Sequence, residues 1–152
     1  MKLYYSPGAC SMSPHIVLAE FGVAADLVKV SLQSHKLEDG TDYYTINSKG
    51  AVPALRLDDG SVLTEGPAIV QYIADKAPAS KLAPANGTLE RYRLQEWLNY
   101  ITAELHKTLS ILFDKSITDE YRAAVRARSA KRYARIAKQL GDEPDLTGDT
   151  FT

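Results

Sequence analysis

The chain has 152 residues, a formal net charge of −1 and 45% hydrophobic residues, a composition typical of a soluble globular protein with one or two small domains. The near-neutral charge gives no reason to expect nucleic acid or a membrane as a partner, and no apolar run is long enough to predict a membrane span. A start without the apolar core of a signal peptide, and a single cysteine that cannot form an internal disulfide, predict a cytoplasmic protein.

The first half of the chain alternates short predicted strands with helices. Apolar, β-prone runs bounded by turn residues predict strands, and apolar positions at helical spacing predict helices. In chain order the elements are a strand at 2–6, a helix that begins at Ser13-Pro14 and ends at Gly22, a strand at 26–32, at most a short helix within 33–47, a hairpin at 52–57 and 62–64, and a helix at 65–77. This βαβ and ββα order predicts a small α/β domain with a mixed sheet.

The composition changes to an all-helical pattern after a stretch rich in proline and small residues at 76–87. One long helical pattern runs from 88 to 113 and a second from about 118 to 140, with acidic residues in the first turn of the second. The chain then ends shortly after Thr150, a plausible N-cap with no helix behind it. Two long helices alone bury little apolar surface, so we expect the helical part to be a fragment of a larger domain.

The first long helix has two distinct faces. Six large apolar residues fall on one narrow face at about 100° per residue, as a core stripe should, namely Leu94, Leu98, Ile101, Leu105, Leu109 and Leu112. Asn99, Ala103 and His106 fall together on another face, roughly 140° around the helix. His106 is therefore predicted to lie outside the core stripe.

Cys10 precedes a predicted helix start in the stretch SPGACSMSPH, residues 6–15. A thiol at a helix N-terminus has a lowered pKa, which favours the reactive thiolate. The alternative is a small, inert core residue, which lone cysteines often are. With no second cysteine within three residues, the pattern argues against a self-contained dithiol oxidant.

Four stretches, in register along the whole chain, resemble the bacterial beta-class glutathione transferases. They are SPGACSMSPH, NSKGAVPAL at 47–55, LTEGPAIVQYIAD at 63–75 and EWLNYITAELHK at 96–107. The resemblance implies a thioredoxin-like, glutathione-binding domain at 1–78, a linker at 79–87, and the first part of an all-helical domain at 88–152. It also implies a homodimer.

The resemblance implies a glutathione site on the first domain, with Cys10 at the glutathione sulfur. A cis bond between Val52 and Pro53, where the residues alone predict trans, would turn the Val52 N–H and C=O outward to pair with the cysteinyl backbone of glutathione. Glu65 would take the ammonium of the γ-glutamyl group, and Gly66 would let its carboxylate approach the backbone of the helix start. Some relatives carry serine at the position of Gly66, so a hydroxyl contact is missing here.

Further contacts are implied by the resemblance with less support from residue type. His35 stands where relatives often have a lysine that reaches the glycine carboxylate, a contact that a neutral histidine makes less well. His106 would lie near the glutathione sulfur and Cys10. The residues that would help to bind glutathione across the dimer interface are Asn99, Ala103, Glu104, Leu105 and His106.

From the residues alone, simpler interpretations of three of these positions stay open. Pro53 also fits a turn before a strand, Glu65 a residue that caps a helix, and His106 a solvated histidine.

The function implied is a glutathione transferase that conjugates the glutathione thiolate to small hydrophobic electrophiles, with glutathione as co-substrate and no metal. Cys10 would either donate a hydrogen bond to the glutathione sulfur or form a mixed disulfide with it, which would add thiol–disulfide exchange. The rival hypothesis is a non-catalytic protein of the same fold that binds ligands or forms complexes.

Overall fold

The computed structural model describes residues 1–148 and divides into two compact units, Met1–Lys81 (unit 1) and Leu82–Thr152 (unit 2). The N-cap predicted at Thr150 lies outside the described residues. None of the helices within residues 1–148 combines the length and the apolar character needed to span a bilayer.

Unit 1 is built on a mixed five-stranded sheet in the order β3-β2-β1-β4-β5. The strands are β1 Lys2–Tyr5, β2 Asp26–Ser31, β3 Lys36–Leu37, β4 Ala54–Arg56 and β5 Val62–Thr64. Strands β1 and β2 are parallel, whereas the other neighbouring pairs are antiparallel. The mixed sheet confirms the prediction, but β3 and a 3₁₀ turn at Tyr43–Thr45 stand where the sequence predicted at most a short helix. A two-residue strand is too short to show a period in the sequence.

Helices α1, Met12–Phe21, and α2, Gly66–Lys76, contribute to the core on one face of the sheet. The buried residues of this core are Leu3, Leu18, Leu55, Ile69 and Ile73. A second core lies on the opposite strand positions, as the alternation of side chains along a strand requires. Its buried residues are Tyr4, Val30, Tyr43, Val52 and Ala54.

The limits of α1 differ from the prediction at its start and agree at its end. The helix begins at Met12 with Ser11 as N-cap, so Pro14 is its third residue and the predicted cap at Ser13 is wrong. The hydroxyl of Ser11 bonds to backbone outside the helix and makes no capping bond. Gly22 ends the helix in the left-handed conformation, with φ of 60°, which glycine adopts without strain.

Unit 2 contains one long helical run that is interrupted by a π-helical segment. The run consists of α3 Leu89–Tyr100, the π-helical segment Ile101–His106, α4 Lys107–Ser110 and a 3₁₀ turn at Ile111–Phe113, and it is followed by α5 Asp119–Leu140. The predicted extents of both helical patterns are confirmed, and the first pattern contains π-helical and 3₁₀ turns as well as α-helix.

Two hydrogen bonds mark the π-helical segment, and one member of the predicted stripe is exposed at its start. The Thr102 hydroxyl donates to the Leu98 carbonyl at 2.9 Å, an acceptor that an α-helix would use for the Thr102 N–H. The Lys107 N–H bonds to the Thr102 carbonyl, five residues back. Ile101, at the start of the segment, is 39% exposed, whereas Leu94 and Leu105 are buried.

Candidate functional site

Cys10 lies in the turn between β1 and α1, and its side chain is exposed. Its thiol donates to the Val52 carbonyl oxygen at 3.2 Å. The neighbouring Ser11 is fully buried; its hydroxyl accepts from the Ser6 N–H at 3.1 Å and donates to the Ser6 carbonyl at 3.2 Å. These bonds close the turn and hold Cys10 just ahead of the helix. The alternative of a buried, inert thiol is wrong because the side chain is exposed.

The turn before Val52 is held by buried polar side chains. The Tyr43 hydroxyl and the Asn47 amide both donate to the Ala51 carbonyl, at 3.0 and 2.7 Å. Both side chains are buried, Asn47 to 5% exposure, so these bonds form away from water and fix the backbone strongly. The Val52–Pro53 peptide bond that follows is cis, as the resemblance implied.

Glu65 immediately precedes α2 and has a φ of 71°, a region that residues other than glycine rarely adopt and that often marks a functional site. Its carboxylate accepts from the Lys49 ammonium at 2.6 Å, and the same ammonium donates to the Thr64 hydroxyl at 2.9 Å. The Glu65 side chain makes no capping bond to α2. Glu65 is the N-cap residue of α2 and accepts from the helix through its carbonyl, but its side chain pairs with Lys49 instead of capping.

The sheet register brings these segments of unit 1 to the same end of neighbouring strands. Ala54 of β4 pairs with Tyr4 of β1 and with Thr64 of β5. A Cβ atom built on Gly66 would lie 3.9 Å from the Cγ of Pro53. Three predicted groups are thus assembled at one place, namely Cys10, Val52-Pro53 and Glu65-Gly66.

His35 occupies the turn between β2 and β3 with a φ of 52°. Its ring centroid lies 4.7 Å from that of Tyr44. The backbone N–H of His35 donates to the Ser31 carbonyl, and the backbone carbonyl of His35 accepts from the Tyr43 N–H, both at 2.8 Å. Its Nδ1 atom is buried without a hydrogen-bond partner among the described residues. These contacts belong to the turn itself, and the carboxylate contact predicted for His35 stays a prediction.

The predicted residues of unit 2 lie on α3 and the π-helical segment. Asn99, Ala103 and His106 are exposed, which confirms that His106 lies outside the core stripe. Leu105 is buried. Glu104 accepts from the Arg132 Nε at 2.6 Å and also from its Nη2. The roles of these residues in binding stay a prediction.

The sequence analysis did not identify the residues that form hydrogen bonds with, or lie beside, the predicted site residues. Lys49 lies within the quoted stretch NSKGAVPAL and Thr64 directly precedes Glu65, so proximity in the motif was the available signal. Ser11 carried the same signal, because it follows Cys10 within the quoted stretch SPGACSMSPH. Arg132 carried none, because its partner Glu104 lies 28 residues away. Within residues 1–148, no group of three or more His, Cys, Asp or Glu side chains could hold a metal ion.

Comparison with known proteins places this geometry in a family. The family described as Glutathione S-transferase, N-terminal domain, matches residues 8–76. Glutathione S-transferase GstA of Escherichia coli O157:H7 is 47% identical across the whole chain, which covers 76% of that relative.

Solved structures agree with the sequence match. A bacterial beta-class glutathione S-transferase from Sphingomonas chungbukensis superposes with a TM-score of 0.95 at 47% identity, over all of this chain and 76% of that one. A sphingomonad glutathione S-transferase solved in complex with glutathione gives a TM-score of 0.96, with the same identity and coverage. These likenesses confirm the predicted thioredoxin-like fold followed by a helical part. The chain belongs to the glutathione S-transferase family and, within it, resembles the bacterial beta-class members.

Proposed function

We propose that this protein binds glutathione on unit 1 and conjugates its thiolate to small hydrophobic electrophiles. The observation that carries the proposal is the 3.2 Å distance between the Cys10 sulfur and the Val52 carbonyl oxygen. A cysteinyl residue that pairs with the Val52 backbone as an added strand would have its own sulfur close to Cys10. The sphingomonad relative solved with glutathione supports glutathione as the ligand.

The hydrogen bond of Cys10 suggests how the thiolate is favoured. In the structure the Cys10 thiol donates to the Val52 carbonyl. The cysteinyl N–H of glutathione would compete for this carbonyl, and the Cys10 S–H would then donate to the glutathione sulfur. A hydrogen bond to the charged form lowers a pKa, and each unit requires about 1.4 kcal/mol. In this role Cys10 stays protonated, glutathione loses its proton to solvent, and the glutathione thiolate attacks the electrophile.

The exposure of Cys10 supports a second activity, glutathione-dependent thiol–disulfide exchange. The Cys10 thiolate would attack the glutathione sulfur of a mixed disulfide between glutathione and another thiol. A bond forms between Cys10 and glutathione, and the other thiolate leaves. A second glutathione thiolate then attacks this adduct, which releases the Cys10 thiolate and forms oxidised glutathione. Overall, the mixed disulfide and one glutathione are converted into the free thiol and oxidised glutathione, so one disulfide replaces another.

Substitutions at Cys10 separate the two activities. Cys10→Ser keeps a hydrogen-bond donor, so conjugation to a generic aromatic electrophile should largely survive while exchange disappears. Cys10→Ala has no donor and should lower kcat/KM for conjugation about tenfold, the loss of one charge-assisted hydrogen bond. After incubation with oxidised glutathione, the mass of the wild type should rise by one glutathione, and that of Cys10→Ser should not.

Each activity has an outcome that would contradict it. Exchange that persists in Cys10→Ser would exclude Cys10 as the exchanging thiol. If the wild type neither catalyses conjugation nor forms the adduct, the rival hypothesis of a non-catalytic ligand-binding protein of this family is favoured.

We propose further that the protein acts as a cytoplasmic homodimer and that unit 2 contributes to the same reaction. His106 would help to keep the glutathione sulfur ionised, and the other residues would contribute to glutathione binding, namely Asn99, Ala103, Glu104 and Leu105. The exposure of Asn99 and His106 supports this role. His106→Ala should lower kcat, and light scattering should give twice the chain mass. A monomer with full activity would contradict the dimer.

A further inference from the structure

We infer that Lys49 binds the α-carboxylate of the γ-glutamyl group, next to Glu65, to which the resemblance already assigns the ammonium of that group. The inference rests on the proposed function and names a residue that determines specificity for it. It starts from the ion pair in which the Lys49 ammonium lies 2.6 Å from a carboxylate oxygen of Glu65 and 2.9 Å from the Thr64 hydroxyl.

Both charged groups keep bonding capacity for a ligand. An ammonium has three N–H donors, and that of Lys49 uses two of them, for Thr64 and Glu65. The Glu65 carboxylate binds Lys49 through Oε1, which leaves Oε2 as an acceptor. The side chains are 54% and 63% exposed, so a ligand can reach them. A zwitterionic amino-acid end, with an ammonium and a carboxylate on one carbon, matches an acceptor and a donor placed side by side.

The pair lies next to the place proposed for the cysteinyl residue. Thr64 pairs with Ala54, two residues after Val52, so Glu65 follows directly from the strand beside the Val52-Pro53 segment. Lys49 is three residues before Val52. In glutathione the γ-glutamyl group is attached to the cysteinyl nitrogen. If the cysteinyl residue pairs with Val52, the γ-glutamyl group is the next residue of the peptide and lies on the side of Lys49 and Glu65.

The backbone of Lys49 is held in place by a hydrogen bond to a buried side chain. Its N–H donates to the Asn47 Oδ1 at 3.1 Å, and the Asn47 side chain in turn is anchored to the Ala51 carbonyl at 2.7 Å. Gly66 offers no side chain with which to bind a carboxylate, and no side chain caps the start of α2. The Lys49 ammonium is thus the charged donor next to this helix start, where the helix dipole also favours an anion.

A purely structural ion pair is the competing explanation. Exposed ion pairs add little to stability, and such a pair would affect unfolding without affecting the choice of ligand. Lys29 provides a matched control, because its ammonium lies 3.7 Å from the Glu38 carboxylate and its side chain is 51% exposed.

The experiment compares two peptides on three variants by titration calorimetry. The peptides are glutathione and γ-aminobutyryl-cysteinyl-glycine, which lacks only the α-carboxylate. Lys49→Met should weaken glutathione binding about tenfold, the worth of one charge-assisted hydrogen bond. It should leave binding of the analogue unchanged. Lys49→Arg should retain most of the affinity, and Lys29→Met should match the wild type with both peptides. In conjugation, Lys49→Met should raise KM for glutathione and leave kcat unchanged.

The outcomes that overturn the inference are distinct from those that overturn the proposed function. If Lys49→Met binds glutathione as the wild type does, or loses the same factor for both peptides, Lys49 does not bind the α-carboxylate. A wild type that binds neither peptide would overturn the proposed function itself. Should Lys49→Met fail to fold, Lys49→Gln with its neutral amide is tested in the same way, with the same expected loss.

Discussion

The two units are stabilised by different means. Eleven of the buried Leu, Ile, Val, Ala and Tyr side chains within residues 1–148 belong to unit 1, and three belong to unit 2. The three in unit 2 are Leu94, Leu105 and Val125. Burial of apolar surface is the dominant favourable term in folding. Unit 1 therefore draws its stability mainly from the cores on the two faces of its sheet.

Polar groups close several turns and helix ends of unit 2. Thr88 and Thr118 each cap a helix by accepting a backbone N–H at 3.2 Å. Arg91 is 3% exposed and donates to the Pro84 carbonyl at 3.0 Å, while Arg122 donates to the Leu112 carbonyl at 2.7 Å. These contacts involve residues close in sequence, whereas the contacts that build the unit 1 site join distant segments. The candidate site residues of unit 1 are thus carried by the unit with the larger number of buried apolar side chains.

The strongest test of this contrast removes one leucine from each core. Leu55→Ala, at 0% exposure in unit 1, should lower the free energy of unfolding by about 4 kcal/mol, and Leu94→Ala, at 8% exposure in unit 2, by about 2 kcal/mol. Urea unfolding followed by circular dichroism measures both, and the fluorescence of Trp97, the single tryptophan, reports on unit 2. Leu89→Ala, at 65% exposure, is the control and should change little. A larger loss for Leu94→Ala would reverse the comparison.

A second test concerns the backbone that leads into the site of unit 1. Gly50 has a φ of 64°, and an added Cβ would lie 2.6 Å from the Tyr44 ring. Gly50→Ala should cost about 3 kcal/mol, from the left-handed conformation together with the steric overlap. Gly60 has a φ of 86° with nothing within 4 Å of an added Cβ. Gly60→Ala should therefore cost only about 1 kcal/mol. Equal losses in urea unfolding would show that Tyr44 moves aside freely.

A third test concerns the polar anchors of unit 2. Arg91→Met leaves the Pro84 carbonyl without this buried donor and should cost about 2 kcal/mol. Arg93 is the matched control, because its side chain is 65% exposed and pairs with Glu96 at 2.8 Å. Arg93→Met should change the free energy of unfolding by less than about 0.5 kcal/mol. If neither substitution changed the free energy of unfolding, the hydrogen bond of Arg91 would not contribute to the stability of unit 2.

In both units, local signals were predicted from the sequence and contacts between distant residues were not. The stop of α1 at Gly22 and the start of α5 after Thr118 were predicted, because caps are local signals. The position of Cys10 ahead of a helix also follows from a few adjacent residues.

Features that depend on distant partners were missed. Lys49 meets Glu65 across 16 residues, and Arg132 meets Glu104 across 28. The π-helical segment was missed for a related reason, since apolar spacing measures an average period and not the turn at which the hydrogen bonding shifts. Pairings of this kind become visible only when the register of the sheet and the packing of the helices are known.

The smallest expected effect concerns the hydrogen bond from the buried Tyr43 to the Ala51 carbonyl. Burial raises the pKa of Tyr43 above its ordinary value of 10.0. The unfolded chain therefore loses this proton first, so the stabilisation is complete below about pH 10 and is lost as the pH rises through the folded-state pKa. Tyr43→Phe should cost only about 1 kcal/mol at pH 7, because the Ala51 carbonyl still accepts from Asn47 at 2.7 Å. Urea unfolding at pH 7 and above pH 10 should show a shallower alkaline loss for Tyr43→Phe than for the wild type. An equally steep loss would assign the alkaline sensitivity to other groups and leave Asn47 as the main support of the turn that leads to Val52.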